Sequence, residues 1–192
     1  MKNKQVKDLM VSISDYATIH ENASMSEAIK AIQSEKRRYK EGPYRHQSLI
    51  VVDDNHQVVG RVSQVDIMRA IEPNYSKLGD ARWIGRTALS KEVLIKLRES
   101  FNLWERSLQD MRHSVDNANV RDYMQKPTEG EFVSEKDTCN IAAHRIVMGR
   151  HHSLLVTRGK VIVGVLRATD VFNCLYDMIS SESSTFLNGE SS

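Results

Sequence analysis

The 192-residue sequence has only two cysteines, three prolines and 6% aromatic residues. Cys139 and Cys174 stand far apart, with no CxxC and no Cys/His ligand spacing. That argues against a disulfide framework and a structural zinc site. There is no excess of one charge: 27 Lys and Arg face 25 Asp and Glu, for a net charge of +2. So small a field does not draw nucleic acid to the surface as a whole. No apolar run reaches the roughly 18 residues a membrane span needs. No apolar stretch follows Lys2 and Lys4, so the opening residues do not read as a secretory signal. The sequence also lacks GxSxG, HExxH and P-loop motifs, and Gly42-Pro43 and Gly149 read as turns. The expectation is a cytoplasmic, non-enzymatic protein with reduced thiols and no metal, nucleic-acid or membrane partner. What is present in quantity, 40% hydrophobic and 27% charged residues, suits a globular core.

The chain repeats itself, which decides how its length is divided. Val6-Lys7-Asp8-Leu9-Met10 recurs as Val120-Arg121-Asp122-Tyr123-Met124, and Ser24 to Ala28 recurs as Thr138 to Ala142. Ser48-Leu49-Ile50-Val51-Val52 recurs as Ser153-Leu154-Leu155-Val156-Thr157, and Gly60 and Asp66 recur as Gly164 and Asp170. Repeat 1 is longer through Lys36 to Arg45, where repeat 2 has only Gly149-Arg150.

Each repeat reads as strand, helix, strand, strand, helix. In repeat 1, Ala17 to His20 is a short strand and Ser24-x-x-Glu27 a capping box. Ala28, Ile29 and Ile32 give the following helix its apolar face. Strands over Leu49 to Val52 and Gln57 to Val62 flank the turn residues Asp53-Asp54-Asn55. Asp66 to Ile71 starts a second helix. Repeat 2 follows as Phe132-Val133, Asn140 to Met148, Leu154 to Thr157, Val161 to Leu166 and Val171 to Ile179. The nearly continuous apolar strands predict a sheet covered by helices on at least one side.

Two V-x-D-x-M openings carry a family resemblance. So do two endings, Gly60-Arg61-Val62-Ser63-Gln64-Val65-Asp66-Ile67 and Gly164-Val165-Leu166-Arg167-Ala168-Thr169-Asp170-Val171. On these residues the sequence resembles the CBS domain family, and two copies in one chain resemble a Bateman module. The resemblance covers about two-thirds of the chain and implies an α+β fold of tandem repeats, packed sheet to sheet with pseudo-twofold symmetry. The implied division is repeat 1 over 1–73, a helical insertion over 74–119, repeat 2 over 120–180 and a disordered Ser-rich tail over 181–192. The family builds two clefts from both repeats, which commonly hold adenosine nucleotides.

By resemblance, Asp66 and Asp170 are the ribose-binding aspartates and Ser63 a ribose or phosphate contact. The implied base-holding partners are Pro127, Phe132, His151 and His152 for Asp66, and Ile13, Thr18, His46 and Gln47 for Asp170. The residues themselves allow a competing reading. Ser63-x-x-Asp66 is also an ordinary helix N-cap, and an aspartate in a first turn suits the helix dipole. In repeat 2 Arg167 stands where the family has a small hydroxyl. Its guanidinium either binds a phosphate tail or fills the cleft and blocks it. Thr169 offers a substitute hydroxyl. Arg150-His151-His152 reads either as a phosphate contact or as a solvated turn. Lys36-Arg37-Arg38-Tyr39-Lys40 reads as a phosphate contact or a solvated helix end.

From Ser90 an apolar stripe of Val93, Leu97, Phe101, Trp104, Leu108 and Met111 predicts one helix of about six turns. It needs cover from this chain, a second copy or an effector protein. Two functions follow. One is a non-catalytic sensor of AMP, ADP or ATP, with S-adenosylmethionine a further candidate ligand, working as a homodimer. The other is a dimerisation or effector-interaction protein that acts through the insertion while its ligand clefts are vestigial.

Overall fold

The structure is a computed structural model, and it describes residues 4–38, 48–78 and 90–187. His46, Gln47, Tyr39, Lys40 and Trp83 lie outside the described residues. In chain order the elements are β1 (Val11–Ser12), β2 (Thr18–His20), α1 (Met25–Arg38), β3 (Ser48–Val52), β4 (Val58–Ser63) and α2 (Gln64–Ile71). The insertion holds α3 (Lys91–Ser100) and α4 (Leu108–Asn117), followed by the short α5 (Val120–Tyr123). Then come β5 (Phe132–Ser134), α6 (Cys139–Gly149), β6 (Ser153–Arg158), β7 (Val161–Arg167) and α7 (Ala168–Leu187).

The chain forms two compact units, and they do not follow the linear repeats. The first comprises Ala17–Lys126; the second joins Met1–Tyr16 to Pro127–Ser192. Each V-x-D-x-M opening therefore folds with the body of the other repeat.

In the first unit the sheet order is β2-β3-β4, with β2 parallel and β4 antiparallel to β3. The Asp53 carboxylate closes the β3–β4 turn by accepting from the Asn55 and Gln57 N–H groups at 2.9 and 2.8 Å. The expected capping box starts α1. The Ser24 N–H donates to Glu27 Oε2 at 2.7 Å, and the Glu27 N–H donates to Ser24 Oγ at 3.2 Å. Those bonds from Ser24 hold the exposed Glu27 carboxyl below its ordinary range. Met25, Ala28 and Ile32 of α1 pack with Leu49, Val51, Val62, Ile67 and Ala70. Each such side chain, once buried, contributes roughly 1.5–3 kcal/mol if large and less if it is alanine.

The second unit repeats this plan with one more strand, in the order β1-β7-β6-β5. Its core is Val6, Val133, Cys139, Ala142, Leu154, Val156, Leu166, Val171 and Cys174. Both hairpins carry a register shift at the same place, between Val51 and Val52 and between Val156 and Thr157.

The openings dock in matching ways. The Val120 and Arg121 N–H groups donate to the Ala23 and Glu21 carbonyls, while those of Val6 and Lys7 donate to Asp137 and Glu135. Each ends with its methionine over the glycine of the opposite motif. A Cβ on Gly60 would stand 2.9 Å from Met124 Sδ and 3.0 Å from the Gln125 carbonyl oxygen. A Cβ on Gly164 would stand 2.7 Å from both Met10 Sδ and the Val11 carbonyl oxygen. The two recurring motifs are thus contact partners, and each glycine leaves room for backbone and sulfur to approach.

Two expectations are corrected, the first of them in the insertion. The apolar stripe is not one helix: α3 ends at Ser100, and Asn102 and Trp104 take positive φ values of 48° and 68°. A second N-cap then starts α4, where the Ser107 hydroxyl accepts from the Asp110 N–H at 3.1 Å and donates to its carboxylate at 2.7 Å. The break is held by Glu72, a fully buried carboxylate that accepts from the Trp104 N–H at 2.9 Å and the Asn74 N–H at 3.2 Å. Trp104 Nε1 donates to the Tyr75 hydroxyl at 3.1 Å. Within the same unit α4 packs against α1 and α2 and places Val115 in the core. At the other end, α7 runs on through Leu187, into residues expected to be a disordered tail.

Candidate functional site

The two aspartates occupy equivalent places, each in the first turn of the helix that follows a hairpin. The local reason is the same in both: an antiparallel strand ends, and the carboxylate turns back onto N–H groups the new helix leaves unpaired. Their partners differ.

Asp66 is fully buried. Its Oδ2 accepts from the Ser63 N–H at 2.8 Å and from the Ser63 hydroxyl at 2.5 Å. The Ser63 hydroxyl in turn accepts from the Asp66 N–H at 3.4 Å, so the N-cap reading of this motif holds in the structure. Gln125 Nε2 bridges both carboxylate oxygens at 3.0 and 3.1 Å, and Arg69 Nη1 stands 3.4 Å from Oδ1. Sequence reasoning missed Gln125. It directly follows the V-x-D-x-M opening, and that opening's docking beside β4 brings it there, through paired backbone bonds between Gln125 and Arg61.

Asp170 is gripped by a guanidinium from its own motif. The Arg167 N–H donates to Oδ2 at 3.1 Å, and Arg167 Nε to the same oxygen at 2.8 Å. Arg167 Nη2 donates to Oδ1, completing a two-pronged ion pair. The two side chains are 13% and 14% exposed. At the position corresponding to Gln125 the second unit has Val11, which carries no donor. Arg167 thus stands in for both Ser63 and Gln125.

The other expected site residues are placed as follows. In the first unit Thr18 is exposed on β2. In the second, Ile13 sits half-buried in a short 3-10 turn, Pro127 is half-buried and Thr169 is exposed in the first turn of α7. Phe132 is half-buried on β5, and its carbonyl accepts from Arg145 at 2.5 Å. The Arg150-His151-His152 cluster does not act as a block. Arg150, exposed and left-handed with φ 51°, ends α6. The His151 ring turns inward over Gly149, where a Cβ would lie 2.0 Å from its Nε2, and its Nδ1 stands 3.8 Å from Glu131 Oε1. His152 is exposed, and its carbonyl accepts from the Ala168 N–H at the start of α7.

Chemically, each aspartate is an acceptor pair already filled by donors. A vicinal diol presents two O–H donors and matches such a pair, in exchange for the amide at Asp66 or the guanidinium at Asp170. Both thiols are buried, and burial together with the neighbouring Cys174 pushes the Cys139 thiol up to about 12. Among the described residues no helix is long and apolar enough to cross a membrane.

Residues 6–73 match the family model of the CBS domain. No curated protein sequence matched the chain. Among solved structures, a CBS domain-containing protein of unknown function from Bacillus anthracis str. Ames Ancestor superposes with a TM-score of 0.60 at 14% identity, over 91% of this chain and 94% of that one. The CBS domain of a CBS domain containing membrane protein from Sphaerobacter thermophilus gives 0.57 at 15% identity, over 90% and 88%. CBSX2, solved in complex with AMP, gives 0.55 at 17% identity, over 91% and 97%. At these identities the likeness is one of fold.

Proposed function

We propose, from the match of residues 6–73 to the CBS domain model and a fold like that of solved CBS-domain proteins, that the chain is a non-catalytic regulatory module that binds an adenine nucleotide, AMP, ADP or ATP, with Asp66 and Asp170 receiving the ribose. The observation that carries the reading is the recurrence of a carboxylate, both oxygens presented together, at the same helix start in both units. A complex of AMP with a structural neighbour supports the choice of ligand. S-adenosylmethionine shares the adenosine portion and belongs on the same panel. Ser63, Thr169 and Arg167 are the polar groups beside the two carboxylates. Ile13, Thr18, His46 and Gln47, with Pro127, Phe132, Arg150, His151 and His152, are proposed to line the remainder. The two buried thiols support a reducing, cytoplasmic setting.

Regulation requires the ligand to bind two conformations of the protein unequally. A homodimer, or an effector held by the insertion, is the partner on which such a shift acts.

One observation favours the second reading, an interaction protein whose ligand sites are vestigial. Val93, Leu94 and Ile95 of α3 are all largely exposed, while both aspartates already have full sets of donors. Thermal-shift measurements with AMP, ADP, ATP, S-adenosylmethionine and adenosine separate the two. Ligand bound to the native state raises the melting temperature, by the equivalent of about 2.7 kcal/mol at a hundred times Kd. A rise with at least one nucleotide is the expected outcome. No shift with any of them at near-millimolar concentration turns the account to the interaction protein.

A further inference from the structure

We infer that Gln125 is a built-in competitor for ribose at Asp66, and that its amide holds nucleotide affinity there below what the carboxylate alone would give; this rests on the nucleotide reading above.

An ionised carboxylate has about four acceptor sites. At Asp66 they are filled. Oδ2 accepts from the Ser63 N–H, the Ser63 hydroxyl and Gln125 Nε2. Oδ1 accepts from Gln125 Nε2 and, at 3.4 Å, from Arg69. Asp66 is also fully buried. The two hydroxyls of a ribose therefore enter only by displacing a donor.

The three donor residues are not equally free to leave. Ser63 is the N-cap of α2, and turning it away would undo the start of that helix. Arg69 brings the opposite charge, and losing it would take a cation from a buried carboxylate. Gln125 differs from both. It comes from 59 residues away, and its backbone pairs with Arg61 in both directions, at 2.8 and 3.0 Å. The residue therefore keeps its place beside β4 when the amide lets go. The amide is neutral, and the residue is exposed, so water replaces Asp66 as its partner. Its oxygen accepts only a long bond from Arg61 Nη2, at 3.5 Å. Its nitrogen spans both carboxylate oxygens at 3.0 and 3.1 Å, the same pair a vicinal diol would take.

The amide is thus engaged in the free protein and released in the complex. What it contributes to the free protein is subtracted from binding. A hydrogen bond to a charged group is strong enough that removing the amide should tighten AMP at Asp66 about tenfold. The second unit has Val11 at the corresponding position, so the gain should be confined to Asp66.

The test is isothermal titration and thermal melting of the full chain with AMP. The wild type is compared with Gln125→Met, which keeps the length of the side chain without the amide, and with Gln125→Ala, which serves if the first variant fails to melt cooperatively. Each variant should bind AMP about tenfold more tightly at one site. Without ligand each should melt below the wild type. At saturating AMP the melting temperatures should converge, because the lost bond is one the complex does not make. The gain should vanish when Gln125→Met is combined with Asp66→Asn. Unchanged affinity in the variants, or weaker affinity of the kind expected if the amide contacts the nucleotide, overturns the inference and leaves the nucleotide reading standing. No binding of AMP to the wild type or to either variant overturns both.

Discussion

Asp66 and Asp170 come from the same motif and sit at the same point of the same fold, yet they are held in different ways. In the first unit a serine, a glutamine and the half-exposed Arg69 share the carboxylate, and the glutamine arrives from the docked opening of the other repeat. In the second unit one arginine, three residues away in sequence, supplies every donor named for Asp170. The opening that docks there brings Val11, which joins β7 as a strand and contributes no side-chain donor. The repeats have kept the carboxylate and exchanged what guards it.

The largest expected effect tests whether the two openings are equally tight. A Cβ at Gly164 meets the Val11 backbone oxygen at 2.7 Å, whereas at Gly60 the nearest atom is the flexible Met124 Sδ. Overpacking of this kind costs about 1–3 kcal/mol. Gly164→Val should lie at or above the top of that range and Gly60→Val near its lower end. Urea unfolding midpoints measure both, and equal losses would break the proposed difference between the docks.

A second contrast lies six residues beyond each aspartate. The first unit has Glu72, buried and accepting from the Trp104 N–H; the corresponding residue of the second unit is Tyr176, 62% exposed. Glu72→Gln sets an amide where two backbone N–H donors converge and should cost about 1–3 kcal/mol. The loss should appear in the melting temperature, together with a change in the near-ultraviolet signal of Trp104. Tyr176→Phe should change neither, and a silent Glu72→Gln would remove Glu72 as the anchor of the insertion.

How far the sequence foretold this arrangement depends on the range of each signal. Strands, hairpins and the Ser24 and Ser63 caps follow from patterns within a few residues, and the structure has them close to the expected positions. Exchange of the openings was not legible, because pairing Val6 with Asp137 or Val120 with Ala23 is a long-range choice that periodicity does not encode. Gln125 was missed for that reason: its role exists only after the exchange. The insertion failed differently. Phe101, Trp104 and Leu108 keep a helical spacing across a break, so the stripe looked continuous. The signal that reveals the break was present in Ser107-x-x-Asp110, the same capping pattern recognised at Ser63-x-x-Asp66. Arg167 was legible as a departure from the family pattern, but not its hold on Asp170, which depends on the rotamer the fold imposes.

The most direct test of the account is isothermal titration of AMP into the wild type, Asp66→Asn and Asp170→Asn, with each variant's fold checked by circular dichroism. Asparagine keeps the shape of the side chain and removes one of the two acceptor oxygens. The account predicts that AMP binds the wild type at both aspartates and that each variant loses one of those sites while keeping the other. Wild-type binding that neither substitution alters, or no binding of AMP to the wild type, would contradict it.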